Sequence, residues 1–213
     1  MLLYKISMED FLKQFDVSRE TFSLLSRYVN VLEAWQAKMN LVSPSSLKDV
    51  WQRHIADSYQ LCQYLPSQAQ TVYDIGSGAG FPAIVMAVWA LENRPDLKFM
   101  LIESITKKTV YLNELKQTLG LKNVQILNAR AENLKNIKAD VITARAVAEL
   151  NKLFGLTHPL LKMNTVQILP KGKSFYQELF EAKKFWTFDC DVVQNTVQPE
   201  GVILLVSNLR KKK

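Results

Sequence analysis

Cysteine is scarce in this chain: two among 213 residues, Cys62 and Cys190. Two thiols are too few for a disulfide framework or a zinc cluster, and they read as reduced cytosolic groups. No metal site is expected. Histidine is equally scarce, at His54 and His158. The chain has no H-E-x-x-H, no C-x-x-C and no serine–histidine–aspartate constellation, so nothing points to hydrolytic or metal chemistry. The longest unbroken apolar run, residues 81–91, is too short to span a bilayer. The opening MLLYKISMED lacks the basic flank, long apolar stretch and cleavage site of a secretion signal. There is no internal repeat, and the only low-complexity tract is the basic tail 210–213. These absences leave a soluble, cytoplasmic chain without a membrane anchor. Its 48% hydrophobic and 22% charged residues suit an ordinary core.

The chain is basic, with a net charge of +7. Residues 1–70 hold seven Lys and Arg against seven Asp and Glu, whereas residues 71–213 hold twenty against thirteen. The excess therefore lies in the second part, where it suggests a polyanionic partner.

Texture divides the chain at the same place. Residues 1–66 read as a helical extension. Ser7 with Asp10 forms a capping box, and Leu24, Leu25, Tyr28, Val31, Leu32, Trp35 and Met39 recur at helical spacing, with Trp35 and Met39 assigned to the core. Pro44 is expected to stop the chain, and Ser46 with Asp49 to open a helix towards Tyr64. Residues 71–213 then alternate. Short apolar runs at 71–75, 97–103, 124–128, 140–144 and 165–170 read as strands. Helical patterns fall near 81–91, 107–119, 149–158 and 175–184. Such alternation predicts an α/β fold with a mostly parallel sheet. Segments 187–194 and 202–207, joined through 199–201, predict a closing antiparallel hairpin.

The sharpest local signal is Asp74-Ile-Gly76-Ser-Gly78-Ala-Gly80-Phe-Pro82, between an expected strand and an expected helix. Its glycines permit a tight turn and close approach of a ligand to the backbone. Two ligand classes fit. Gly78 to Ala83 matches the dinucleotide pattern G-x-G-x-x-A, with Glu103 placed as a ribose-binding acid. Alternatively, D-x-G-x-G-x-G is an S-adenosylmethionine loop, in which Asp74 suits the cationic amino group of methionine. An acid at the loop mouth would repel a pyrophosphate. Glu103 would accept ribose hydroxyls in either case.

Several further segments, taken with the loop, resemble one family. They are Trp35-x4-Asn40-Leu41, Arg53-His54-x2-Asp57-Ser58, Ile102-Glu103-Ser104 with Lys107-Lys108, Arg130-Ala131-Glu132, Ala144-Arg145-Ala146 and Lys171-Gly172. The chain resembles the RsmG (GidB) family, bacterial enzymes that methylate N7 of one guanine in the 530 loop of 16S ribosomal RNA. The resemblance implies a class I methyltransferase fold with a helical N-terminal extension, and S-adenosylmethionine as methyl donor. It places Gly76, Phe81, Glu103, Ser104, Ala131 and Glu132 around the donor, with Arg145 near the transfer face. The expected partner is 16S ribosomal RNA or a small-subunit precursor, not DNA, and a monomer is favoured. Two positions depart from the family: Ala83 replaces a usual glycine, and the segment after Gly201 lacks an expected basic residue.

Guanine N7 carries a lone pair and no proton, so methyl transfer to it needs no general base. Positioning residues are then the expected catalytic set. Arg145, at a strand's C-terminal end, is placed to clamp phosphate or stack on a base; its alternative is a salt bridge to Glu132 or Glu149. Lys171, at the next strand's end, is a second candidate for phosphate or base contact, with a solvated loop lysine as its alternative. His54 reads as a substrate contact or a structural tie to Asp57. Arg130, Lys107, Lys108, Lys183, Lys184 and the tail are candidates for a basic face. Tyr73, Phe81 and Trp89 are candidate stackers, although aromatics at such spacing usually belong to the core.

Overall fold

The computed structural model describes residues 8–134 and 136–213. Ser7, half of the expected capping box, lies outside them. The chain opens with helices α1 (Met8–Gln14) and α2 (Arg19–Gln36). Ser18 caps α2 by accepting from the Thr21 amide at 2.9 Å, and Leu25, Tyr28 and Leu32 are buried along one face. The helix ends at Gln36, three residues before Met39. Its last side chain turns back to bond the backbone of the Asn40-Leu41 segment, donating to the Val42 carbonyl and accepting from the Leu41 and Val42 amides. Trp35 and Met39 are accordingly half-buried at the rim of the core, and Trp35 donates its indole N–H to Glu114.

The next stretch departs from the expected helix. Pro44 does not stop the chain. It takes the first position of a short turn α3 (Pro44–Leu47) capped by Ser43, where a fixed φ and a missing N–H are tolerated. Instead of one helix to Tyr64 there follow a π-helical turn at Trp51–Ala56, a single α-turn α4 (Asp57–Tyr59) and a 3-10 segment at Gln60–Tyr64. Pattern reading cannot separate these, because residues 54–62 are buried without interruption and leave no period to tell one helical type from another.

The remainder alternates as the apolar runs predict: β1 (Thr71–Ile75), α5 (Ala83–Asn93), β2 (Lys98–Glu103), α6 (Thr106–Leu119), β3 (Val124–Asn128), β4 (Ala139–Ala144), α7 (Leu150–Thr157), β5 (Leu161–Lys171), α8 (Phe175–Phe185), β6 (Trp186–Gln194) and β7 (Val202–Lys211). The strands form one seven-stranded sheet in the order β3-β2-β1-β4-β5-β7-β6. The first five pair in parallel, and β7 runs antiparallel to both β5 and β6, closing the sheet with the expected hairpin.

Both faces of the sheet are covered. Val72, Leu101, Val141 and Ile168 face a core filled by α2, α5 and α6; Tyr73, Ile102, Ile142 and Leu169 face one filled by α7 and α8. Side chains alternate along a strand, so adjacent residues split between the two cores. Strand order reverses beside β1, whose neighbours are β2 and β4. At such a switch point the loops leaving adjacent strands diverge and leave a crevice. Ile75 lies opposite Ala144 in register, so the glycine loop and Arg145 leave the sheet side by side.

Candidate active site

The loop after β1 is held in place from below. Tyr28 on α2 and Tyr111 on α6 both donate to the Ala79 carbonyl, at 2.7 and 3.0 Å. Both phenols are buried, and burial holds their pKa values above the ordinary range. Gly80 needs to be glycine twice over: its φ is +98°, and a Cβ there would lie 2.9 Å from the Tyr28 hydroxyl. Gly78, by contrast, has a φ of +53° and looser surroundings, where a Cβ would meet the Gly76 carbonyl oxygen at 3.7 Å and the Lys108 ammonium at 4.0 Å; at Gly76, with a φ of +64°, a Cβ would lie 2.8 Å from Val147. The loop is thus fixed on its inner side and open on its outer side at Gly78. Ala83 is fully buried at the start of α5, so its methyl group is accommodated in the core.

Two acids flank this loop. Glu103, at the end of β2, accepts from the Gly78 amide at 2.9 Å and the Ile105 amide at 2.8 Å, one on each oxygen. Each oxygen keeps a second lone pair. Asp74 is not at the loop mouth. It is 1% exposed, lines neither of the two cavities at the site, and accepts from Thr143 at 2.6 Å on one oxygen while the other has no partner. Burial raises its pKa to about 7, against lowering by the hydroxyls of Thr143 and Ser77 and by Arg145.

Arg145 is the hub of the site. Its Nη1 donates to the Arg53 carbonyl at 2.9 Å and to Asp57 Oδ2 at 3.1 Å, and its Nη2 donates to His54 Nδ1. The expected alternatives, Glu132 and Glu149, are not its partners; Glu132 pairs with Arg130. All three acceptors come from the π-helical turn and the residue after it. A guanidinium cannot accept, so His54 Nδ1 accepts and the ring proton is on Nε2, which is buried without a partner. Burial, with Arg145 and Arg53 nearby, lowers the His54 pKa to about 3. The imidazole is therefore neutral at physiological pH. It stacks on Phe81 at 4.7 Å, Phe81 stacks on Tyr28 at 4.9 Å, and Arg145 lies 5.1 Å from the same ring. Phe81 thus has both faces covered and offers none to a base, while Tyr73 is buried and Trp89 half-buried against the core.

Two cavities meet at this hub. The smaller, of about 310 Å³, is lined by Gly76, Ser77, Gly78, Phe81 and Lys108. The larger, of about 690 Å³, is lined by Arg53, Asp57, Glu149, Lys171, Lys173 and Gln198, among others. Ser43, Ser46, His54, Arg145 and Ala146 belong to both walls. Among the described residues no group of histidine, cysteine and carboxylate side chains could hold a metal ion.

The structure treats the other expected site residues unevenly. Lys171 is neither solvated nor free. Its ammonium donates to Glu178 at 2.7 Å and to the Ala148 carbonyl at 2.9 Å, in a pair whose side chains are 10% and 13% exposed. It braces the larger cavity's wall. Ser104 and Glu132 are exposed, Ala131 is buried against the α7 side, and none of them lines either cavity.

Two further residues at the site, Gln60 and Asn195, carried no motif. Asp57 Oδ1 accepts from Gln60 at 3.1 Å and from Asn195 at 2.7 Å, while Asn195 Oδ1 accepts from Gln60 and from the Val197 and Gln198 amides. This buried network ties the helical segment to the β6–β7 connection. Its partners lie some 135 residues apart, so no local spacing reveals them. Nothing in the sequence signals it, since Asn195 stands between Gln194 and Thr196, polar like itself.

The sheet order, the glycine loop at the switch point and the acid ending β2 define a class I methyltransferase fold. A putative O-methyltransferase from Klebsiella pneumoniae superposes with a TM-score of 0.60 at 15% identity, covering 94% of this chain and 95% of that one. A SAM-dependent methyltransferase from Aquifex aeolicus gives 0.58 at 18% identity, covering 78% and 97%. Sequence goes further. The family model for rRNA small subunit methyltransferase G, GidB, matches residues 21–203. Proteins named ribosomal RNA small subunit methyltransferase G from Methylobacterium sp. and Cereibacter sphaeroides are 43% and 39% identical. The first alignment covers 91% of each chain, the second 94% of this chain and 97% of its relative. The chain belongs to that methyltransferase family.

Proposed function

We propose that this chain transfers a methyl group from S-adenosylmethionine to N7 of a single guanine in the 530 loop of 16S ribosomal RNA. The substrate would be the RNA or a small-subunit precursor. Residues 71–213 form the donor-binding domain and residues 1–66 the extension that completes the acceptor side, and the chain acts as a cytoplasmic monomer. One observation carries the reading: a cavity over the glycine loop opens, across Arg145 and His54, onto a second cavity of nucleotide size.

The residues present fit the donor. Gly76 and Gly78 bring backbone to the smaller cavity's wall and Lys108 is available to a carboxylate, while Glu103, 5% exposed and outside both cavities, holds the loop through the Gly78 amide and keeps a spare lone pair on each oxygen. Asp74 acts on the donor through the loop, since its carboxyl is sealed beneath it. Ser104, Ala131 and Glu132, which line neither cavity, keep a donor role only by their resemblance to the family's segments. When bound, S-adenosylmethionine supplies an electrophilic methyl group on a sulfonium, a good leaving group.

What the chain contributes is alignment. Arg145 and His54 form the partition between the two cavities, and Lys171 holds Glu178 and the Ala148 carbonyl in the far wall. A near-attack arrangement of three atoms in line needs such rigidity more than it needs proton transfer. His54 fits this role: neutral, with Nδ1 engaged by Arg145, it is a spacer and not a base. A target base must leave its stack to reach a methyl donor, and the larger cavity gives it room.

The test is direct. 16S RNA and 30S particles incubated with methyl-labelled donor should acquire one label, mapped to a guanine N7 of the 530 loop. Calorimetry should show binding of S-adenosylmethionine and none of NAD. Label on another base, or NAD binding alone, overturns the reading.

A further inference from the structure

The larger cavity's wall carries four cations: Arg53, Arg145, Lys171 and Lys173. Three are matched by carboxylates of the same chain. Arg145 meets Asp57 at 3.1 Å, Lys171 meets Glu178 at 2.7 Å and Lys173 meets Glu200 at 2.8 Å. Arg53 is different. It is exposed, and among the described residues its guanidinium has no ion pair and no hydrogen bond. Its backbone is nevertheless fixed at both ends: the amide donates to the Asp49 carbonyl at 2.8 Å, and the carbonyl accepts from Arg145 at 2.9 Å.

The local structure accounts for this presentation. Arg53 lies in the π-helical turn Trp51–Ala56. Such turns are rare and concentrate at functional sites, because the extra residue per turn re-aims the side chains beyond it. Here the turn directs the Arg53 carbonyl, the His54 ring and Asp57 onto one guanidinium, while leaving the Arg53 side chain at the cavity edge. With the backbone already fixed, only the rotamers of the Arg53 side chain remain to be given up when an anion arrives.

The chemistry of the substrate then narrows its partner. Arginine reads guanine through O6 and N7 together. In the proposed function N7 is the methyl acceptor, so a guanidinium bound there would block the reaction. The remaining acceptor on an RNA strand that suits a planar, permanently charged fork is the phosphate. We propose that Arg53 binds a backbone phosphate beside the extruded guanosine and so seats the base in the larger cavity. The proposal rests on the RNA methyltransferase reading and adds the residue that grips the strand.

Binding of 16S ribosomal RNA to the wild type, Arg53→Gln and Arg53→Lys, measured across a range of salt concentrations, tests it. One lost phosphate contact should make the slope of log affinity against log salt shallower by about 0.7 to 0.9. Affinity near 0.1 M salt should fall about tenfold in Arg53→Gln. KM for RNA should rise more than turnover falls, with donor affinity unchanged by calorimetry. Arg53→Lys, which keeps the charge, should keep the slope. Unchanged affinity and slope in a folded Arg53→Gln protein overturn the proposal, and so does weaker binding with an unchanged slope. A wild type that shows the Arg53-dependent slope but does not methylate guanine N7 refutes the function and leaves the contact standing. A wild type that binds no RNA refutes both.

Discussion

The two cavities are built from different kinds of sequence. The smaller one takes its floor from a single continuous stretch, Gly76 to Phe81, that turns over the end of one strand, under walls from residues 41–54, Lys108, Arg145 and Ala146. The larger one draws its wall from five separate places: residues 43–57, the turn after β4, the end of β5, Glu178 on α8 and the β6–β7 connection. A contiguous site can be written as a motif, because its geometry obeys local backbone rules such as the need for positive φ. A dispersed site depends on topology, and its residues can each look ordinary along the chain. The two sites meet at Arg145, the residue through which either can be damaged.

The largest expected effect is therefore at that junction. Arg145→Ala leaves Asp57 buried without its cation, although Gln60 and Asn195 still donate to it. Removing one partner of a buried pair costs about 3 kcal/mol, read as a fall in the midpoint of denaturant unfolding. The His54 ring also loses the group that orients it. Methyl transfer at saturating donor should drop about 100-fold, the scale of a misplaced reactant. A variant with wild-type stability would show that the two cavities are independent units, and the comparison would lose its hinge.

Legibility in the sequence divides along the same line. The five parallel strands, the hairpin and the loop were legible because apolar runs and glycines report directly on backbone path. Gly76 and Gly78 line the smaller cavity. The acceptor side misled. Arg145 reads as a clamp with Glu132 or Glu149 as its salt-bridge alternative and Lys171 as a free strand-end lysine, yet they pair with Asp57 and Glu178, which lie 88 and 7 residues away. The charge count misled for a related reason. It put the whole positive excess in residues 71–213, but the lysines there that line the larger cavity are matched by acids. The one arginine on its wall without a partner among the described residues, Arg53, belongs to the neutral first part. Counting charges along a chain says nothing of which are paired across it.

A second test separates the cavities by their response to pH. Burial holds Asp74, under the loop, protonated up to about 7, while His54, on the shared wall, resists protonation down to about 3. In the unfolded chain the two groups titrate near 3.9 and 6.5. For Asp74 the native state binds the extra proton, so its contribution to stability is full below about pH 4 and is lost as pH rises to about 7. For His54 the unfolded state binds the extra proton, so its contribution is full above about pH 6.5 and is lost as pH falls towards 3. Between pH 4 and 6.5 the slopes are opposite and nearly cancel. Wild-type stability should be close to flat there. Asp74→Asn should make stability rise with pH by up to about 1.4 kcal/mol per pH unit, and His54→Gln should make it fall by as much. Chemical denaturation at pH 4.5, 5.5 and 6.5 reads this out. Slopes of the same sign in both variants would mean that one of the two groups titrates in the folded protein as it does in water.

The smallest expected effect tests whether the helical extension tunes the donor side at all. Tyr28 comes from α2, yet its hydroxyl donates to the Ala79 carbonyl in the glycine loop, and its ring supports Phe81. Tyr28→Phe keeps the ring and removes one of two donors to that carbonyl, since Tyr111 remains at 3.0 Å. The loss of stability should be about 1 kcal/mol, the net worth of one hydrogen bond when the acceptor keeps a second partner. Donor affinity should weaken by severalfold, because the loop would have more conformations to give up on binding. Tyr111→Phe should behave alike, coming from the methyltransferase part of the chain. If Tyr28→Phe alone leaves donor affinity unchanged while Tyr111→Phe weakens it, α2 contributes packing alone. The extension would then reach the smaller cavity only through the wall it builds from residues 41–54, and the glycine floor would be set by the methyltransferase part of the chain.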